Sequence, residues 1–191
     1  MPDVAQRTGL FGGSFDPIHV GHLILAREAK ERLGLDRVIF IVAKISPHKL
    51  DRTPASAEAR LEMVRAAVAD EPGFEVEDCE LAREGPSFTV DTVRLLRARH
   101  PGDTFFYFIG ADNLALLHTW REIDALRTLA EFVVLDRGEN VESNGMRRVS
   151  RQVDVSSTDI RKRVARGESI RYLLPEGACE VIYRNGLYRD E

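Results

Sequence analysis

Two histidines, His19 and His22, stand three residues apart in the stretch "LFGGSFDPIHVGH", residues 10–22, behind two glycines and a serine. On a helix, residues i and i+3 share a face, so both imidazoles would point the same way. Before them a short apolar run, Leu10 and Phe11, stops at Gly12 and Gly13. Glycine has no Cβ, which permits a positive φ and lets a bulky ligand come close to the main chain. The amides that follow, with the N-terminus of a helix starting near Ile18, would form a positively polarised nest for phosphate, and Ser14 would add a hydroxyl donor. Imidazoles beside a phosphate can donate to its oxygens, and its charge raises their pKa. Either histidine alone reads more simply as incidental to a glycine-rich turn. Together, the glycines, the serine and both histidines point to phosphate chemistry.

Something must hold that nest in place, and the chain alternates strand-like and helix-like segments. Strands are expected at "TGLFGG", "RVIFIVA" (37–43), "FEVED", "TFFYFIG" (104–110), "EFVVLD" and "RQVDV" (151–155). Helices are expected at "HLILAREAKERLG", with Gly34 as its stop, and at "SAEARLEMVRAAVADEPG", with Leu61, Val64 and Val68 on one face. Further helices follow at "TVDTVRLLRARHPG", "REIDALRTLA", "SSTDIRKRVARG" and "PEGACEVIYRNG". The last begins at Pro175 and ends at Gly186, the usual places for those residues. Apolar strands separated by helices imply a parallel sheet covered on both faces, with ligands beyond the carboxyl ends of the strands. The polar, glycine-bearing stretch 136–148 reads as a mobile loop.

A chain of 191 residues suits one domain, 1–191, whose portion from about residue 156 is helical. Apolar residues at 43% and charged residues at 30% describe a folded chain rather than a disordered one. No stretch has the roughly 18 apolar residues of a membrane span, and "MPDVAQRTG" has no apolar signal core. Cys79 and Cys179 have no Cys-x-x-Cys spacing and read as buried thiols, so a cytoplasmic location is expected. The net charge of −4 speaks against a nucleic-acid binder, although Arg147 to Arg171 holds eight basic and three acidic residues. Most of those charges read as a solvated face.

The stretch "GGSFDPIHVGH" resembles the signature of the nucleotidyltransferase superfamily. Five further stretches, "SPHK" (46–49), "REGPSFTVDT" (83–92), "FIGADN" followed by Trp120, "VSSTDIR" (155–161) and "YLLPEGACEVIYRNGLY" (172–188), are similar in type and order to the bacterial nicotinate mononucleotide adenylyltransferase family. The likeness runs from about residue 8 to 188. It implies a single-domain α/β fold, a Rossmann-like parallel sheet with helices on both faces. It also implies the reaction of ATP with nicotinate mononucleotide to give nicotinate adenine dinucleotide and pyrophosphate, a step of NAD synthesis. The nucleophile would be a phosphate oxygen, so the work left to the protein is in-line positioning and charge neutralisation. The absence of a Gly-x-Ser-x-Gly motif fits that chemistry.

By this resemblance His19 and His22 are the catalytic pair, with Gly12, Gly13 and Ser14 beside the ATP phosphates. Ser156 and Asp159 match a capping box. The helix start there, with the hydroxyls of Ser156 and Ser157 and with Arg161, would grip the β- and γ-phosphates. Gly110 would pass close to adenosine, and Asp112 would accept from a ribose hydroxyl or cap the next helix. On the acceptor side stand Lys44, His48, Lys49, Thr89 and Trp120, the last two facing the nicotinate ring and its carboxylate. Mg²⁺ is expected on the ATP phosphates rather than in a protein cage, with Asp16 fixing the loop. No nucleic acid or membrane partner is expected, and a homo-oligomer is left open.

Two departures fall on the acceptor side. The family commonly has Pro-Asn and a second Pro before Pro-His-Lys, where this chain has Val42-Ala43 and Ser46, and Lys44 is a candidate to compensate. The family's Arg-Pro-Gly is here Arg137-Gly138-Glu139. An enzyme with dual or nicotinamide mononucleotide preference, and a non-catalytic nucleotide sensor, are the alternatives.

Overall fold

The computed structural model describes residues 5–45, 54–138 and 143–189. Six parallel strands form one sheet: β1 (Arg7–Gly13), β2 (Arg37–Val42), β3 (Phe74–Glu77), β4 (Thr104–Gly110), β5 (Glu131–Asp136) and β6 (Arg147–Ser150). Their order is β3-β2-β1-β4-β5-β6, and every pairing is parallel. The direction of winding therefore reverses between β1 and β4, the place where doubly wound sheets open a crevice at their carboxyl edge. The α/β reading, with helices on both faces, holds.

The strand sequences explain why both faces are covered. In β4, Phe106 and Phe108 point into one core while Phe105, Tyr107 and Ile109 point into the other. In β2, Val38, Phe40 and Val42 alternate in the same way with Ile39 and Ile41. Side chains alternate across a sheet, so an unbroken apolar run demands cover on both sides. Helices α1 (Val20–Leu33), α2 (Ala57–Val68), α5 (Ser157–Ala165) and α6 (Glu176–Arg184) cover the first face. Helices α3 (Thr89–Arg99) and α4 (Ile123–Leu129) cover the second.

Two expectations need correction, and one element was not anticipated. The sixth strand is Arg147–Ser150, which begins in the last two residues of the stretch read as a loop, whereas 151–155 forms no strand. This edge strand has only Val149 fully buried, and Arg148 and Ser150 bond to the Asp136 carboxylate, so no apolar run announced it. A run of 3-10 turns over Ala111–Thr119, unanticipated, links β4 to α4. The two cysteines are half-buried rather than buried, and both are free thiols. Burial first, then Glu77 and Glu80, pushes the Cys79 thiol up to about 12. Arg147, Arg151 and Arg166 are solvent-exposed, as expected of a solvated face, and are also paired: Arg147 with Glu131 at 2.6 Å, Arg151 with Glu28 at 3.1 Å and Arg166 with Glu168 at 2.8 Å.

Candidate active site

β1 delivers the chain to the sheet's carboxyl edge at Gly12 and Gly13. Neither glycine has a positive φ, so conformational freedom is not why they are there. Close approach is the reason at Gly12, where a Cβ would lie 2.4 Å from the Tyr107 hydroxyl. The positive φ of this turn falls on Phe15, at 46°. Its buried ring packs against Phe11 and Phe40, with centroids 5.5 and 5.8 Å away, which offsets the backbone strain.

The loop from Ser14 to Pro17 is then tied down through its polar groups. Arg60 donates from Nη1 to the Ser14 carbonyl at 2.7 Å, and Arg161 from Nη1 to the Asp16 carbonyl at 2.9 Å. The Ser157 hydroxyl donates to the Pro17 carbonyl at 2.9 Å. Asp16, itself buried, accepts from the Tyr188 hydroxyl at 2.7 Å and from the Ala55 amide at 3.2 Å. A carboxylate so engaged fixes the loop, and among the described residues no three His, Cys, Asp or Glu side chains form a metal cluster.

α1 begins at Val20, not Ile18, and His19 is its N-cap residue. His22 occupies the first turn, and its Nδ1 accepts from the His19 amide at 3.2 Å. The two rings stack with centroids 3.8 Å apart and 29° between planes, so the expected shared direction holds. His19 is fully buried, yet neither of its ring nitrogens has a hydrogen-bond partner among the described residues. Burial, with a smaller contribution from Arg137, pushes its pKa down to about 3. At neutral pH the ring is therefore uncharged. Buried polar groups are almost always paired, so this imidazole is a candidate for a ligand contact.

That shift makes a prediction about stability. Unfolded histidine titrates near 6.5 and His19 near 3, so between those values the unfolded chain binds the extra proton. Stability from this group is complete above pH 6.5 and falls with pH, by up to about 1.4 kcal/mol per unit. Urea unfolding at pH 6.5 and 5.0 should show a steeper loss in the unsubstituted protein than in His19→Asn. Equal losses would remove His19 from the acid sensitivity.

The second expected phosphate element meets the first. Ser156 caps α5, accepting from the Asp159 amide at 3.1 Å as the capping pattern predicts. The Ser157 and Arg161 bonds to Pro17 and Asp16 set the start of α5 beside the start of α1. Two helix N-termini, each with positively polarised amides, thus converge on the side where the histidines lie. Arg161 is buried, and one arm of its guanidinium is engaged with the loop.

A cleft opens next to this loop at the β1–β4 reversal, lined by Gly12, Gly13, Ser14, Ala43, Ser87, Thr89, Gly110 and Trp120 among others. Thr89 is the first residue of α3, and its hydroxyl lies 3.4 Å from that of Tyr107. Burial is the main reason the Tyr107 phenol is pushed up to about 12, so it stays protonated at neutral pH. Trp120 meets the Tyr107 ring edge-on, with centroids 5.8 Å apart. Lys44 donates from Nζ to the Arg83 carbonyl at 2.9 Å, and its amide donates to the Ser87 hydroxyl at 3.1 Å. Asp112 is exposed and accepts from the Asn113 side chain at 3.2 Å, while Asn113 itself lines the cleft. His48 and Lys49 lie outside the described residues.

Four residues that sequence reasoning passed over surround these. Arg60, 2% exposed, donates to the carbonyls of Ser14, Ala43 and Lys44 and, through Nε, of Ala55. Glu80, Tyr107 and Arg121 line the cleft. The signal for Arg60 was present, since it stands four residues before Val64 on the apolar stripe of α2. Arg121 and Glu80 carried no such mark.

The Cytidylyltransferase-like family pattern matches residues 10–163. The probable nicotinate-nucleotide adenylyltransferase of Exiguobacterium sibiricum is 47% identical over 188 residues, covering 96% of this chain and 99% of that one. A protein of the same description from Thermus thermophilus is 46% identical, covering 96% of this chain and 100% of its own. Among solved structures, Plasmodium falciparum nicotinic acid mononucleotide adenylyltransferase complexed with NaAD superposes with a TM-score of 0.79. It covers 97% of this chain and 98% of its own at 17% identity, a likeness of fold.

Proposed function

The chain belongs to the cytidylyltransferase-like family and, within it, to the nicotinate-nucleotide adenylyltransferases, and from that premise we propose how its residues carry the reaction. A phosphate oxygen of nicotinate mononucleotide attacks the α-phosphorus of ATP. The bond from that phosphorus to the bridging oxygen breaks, and pyrophosphate leaves with the electron pair. The nucleophile is already anionic, so no side chain must take a proton and no covalent intermediate forms. The observation that carries this reading is His19: a fully buried imidazole with both nitrogens bare, next to two converging helix starts.

In this reading His19 and His22 donate to the ATP phosphates, and the Ser14 hydroxyl and the start of α5 meet the leaving pyrophosphate. Donors fixed in advance, where charge develops, lower the barrier without reorganising. A divalent ion bound with ATP would supply charge neutralisation on the phosphates. Thr89, Trp120 and the adjoining main chain receive the acceptor ring, and Lys44 steadies the neighbouring loop.

The direct test is pyrophosphate release from Mg-ATP with nicotinate mononucleotide and, in parallel, nicotinamide mononucleotide. Turnover with preference for the acid is the expected result. Silence with both acceptors in a folded, ATP-binding protein would point to a nucleotide sensor. Thr89→Ala is expected to raise KM for the acceptor several-fold while leaving KM for ATP unchanged, the pattern of a lost uniform binding contact. Equal effects on both substrates would make Thr89 structural.

A further inference from the structure

Glu80 puts a buried carboxylate on the wall of the acceptor cleft: it lines the cleft and is 6% exposed. It accepts from the Thr92 hydroxyl at 2.6 Å. Thr89 and Thr92 stand three residues apart on α3 and so share a face, which sets Glu80 about one turn from the hydroxyl that the acceptor is proposed to meet. The field of this carboxylate reaches the same place. Burial is the main cause that pushes the Tyr107 phenol up to about 12, and the Glu80 charge adds to it.

No cation in contact matches that charge. Arg83 donates to the same Thr92 hydroxyl at 3.2 Å, yet no ion pair reaches Glu80 among the described residues. Arg121, the other charged side chain among the described residues that line the cleft, is ion-paired with Asp91 and Glu122 at 3.6 and 3.7 Å. A carboxylate taken out of water is costly unless a positive charge comes to meet it. The phosphate and the ring carboxylate of the proposed acceptor are anionic, so the one part of it that Glu80 attracts is the ring nitrogen. That nitrogen is bonded to ribose, which makes the ring a pyridinium with a formal positive charge at any pH.

We propose that Glu80 is a specificity-determining residue that faces the pyridinium of the acceptor and selects a positively charged ring over a neutral ring of the same shape. This rests on the acceptor reading above. The selection is electrostatic and acts through a water-poor wall, where a charge is felt more strongly than in solvent. It applies alike to the acid and the amide, which share the ring charge, and leaves the choice between them to other groups.

The experiment compares nicotinate mononucleotide with its C-nucleotide analogue, in which carbon replaces the ring nitrogen. Carboxylate, ribose and phosphate are kept, and only the ring charge is lost. kcat/KM for each is measured in the unsubstituted enzyme, in Glu80→Gln, whose amide oxygen can still accept from Thr92, and in Glu80→Asp, with KM for ATP and the unfolding temperature as controls. The unsubstituted enzyme should prefer the charged ring about tenfold or more. Glu80→Gln should lose most of that preference by raising KM for nicotinate mononucleotide, with the analogue and ATP little changed. Glu80→Asp, which keeps the charge, should keep most of it. No preference in the unsubstituted enzyme overturns the proposal whether or not the variants fold. A preference that survives Glu80→Gln, or an equal loss with both acceptors, overturns it too and leaves the acceptor reading intact. Failure of the unsubstituted enzyme with nicotinate mononucleotide itself overturns the acceptor reading, and this proposal with it.

Discussion

His22→Ala is expected to lower kcat by about 10²-fold or more with the fold intact, the scale of losing one transition-state donor. The geometry explains why this ring should matter so much. Nδ1 of His22 accepts from the His19 amide, so the proton of the neutral ring resides on Nε2. That bond fixes the tautomer and leaves the donor of the ring at Nε2, the atom that the proposed phosphate contact uses. Stacking against His19 and edge contacts with Phe11 and Phe15, at 5.9 and 5.2 Å between centroids, hold the ring's orientation. Because the donor serves charge that grows on the phosphates, kcat should fall far more than KM rises. His22 is only half-buried, so thermal unfolding should barely move. Near-normal turnover of the variant would remove His22 from the chemistry.

Arg60→Leu should have the largest effect on stability, about 3 kcal/mol or more. One buried guanidinium donates to four main-chain carbonyls from three separate places: the phosphate loop, the end of β2 and the entrance to α2. Its removal strands buried acceptors, each of which costs about 1–3 kcal/mol when unsatisfied. Lysine has three donors on one atom and cannot span the same fork, so Arg60→Lys should fall between the two. Urea unfolding midpoints measure the ranking. A loss below about 0.5 kcal/mol for the leucine variant would mean that the carbonyls find other partners. Where the variant folds, ATP and acceptor affinities should weaken together, since both loops lose the same anchor.

How much of this could be read from the chain depended on how local the physics is. The turn between β1 and α1 was legible because glycine, serine and histidine each leave a local signature, and so was α5, whose cap lies three residues from its partner. The positive φ expected at Gly12 is absent, and the residue that forbids a Cβ there, Tyr107, sits on another strand, out of reach of local reading. β6 escaped notice because it is held by Arg148 and Ser150 reaching Asp136, a pairing without periodicity. Arg60 could have been singled out as a charge on an apolar stripe, but its four carbonyl partners exist only after the chain has folded. Arg121 is half exposed, and sequence offers no distinction between it and any other surface arginine.

The bond from Tyr188 to Asp16 joins residues 172 positions apart. At roughly 5–20 residues per second, a ribosome needs on the order of ten to thirty seconds to travel that distance. During that interval the nascent chain has its first strand and its histidines but lacks the hydroxyl that secures the loop between them. One of the contacts that secure this loop therefore forms only after the last of its partners has been made and has folded back.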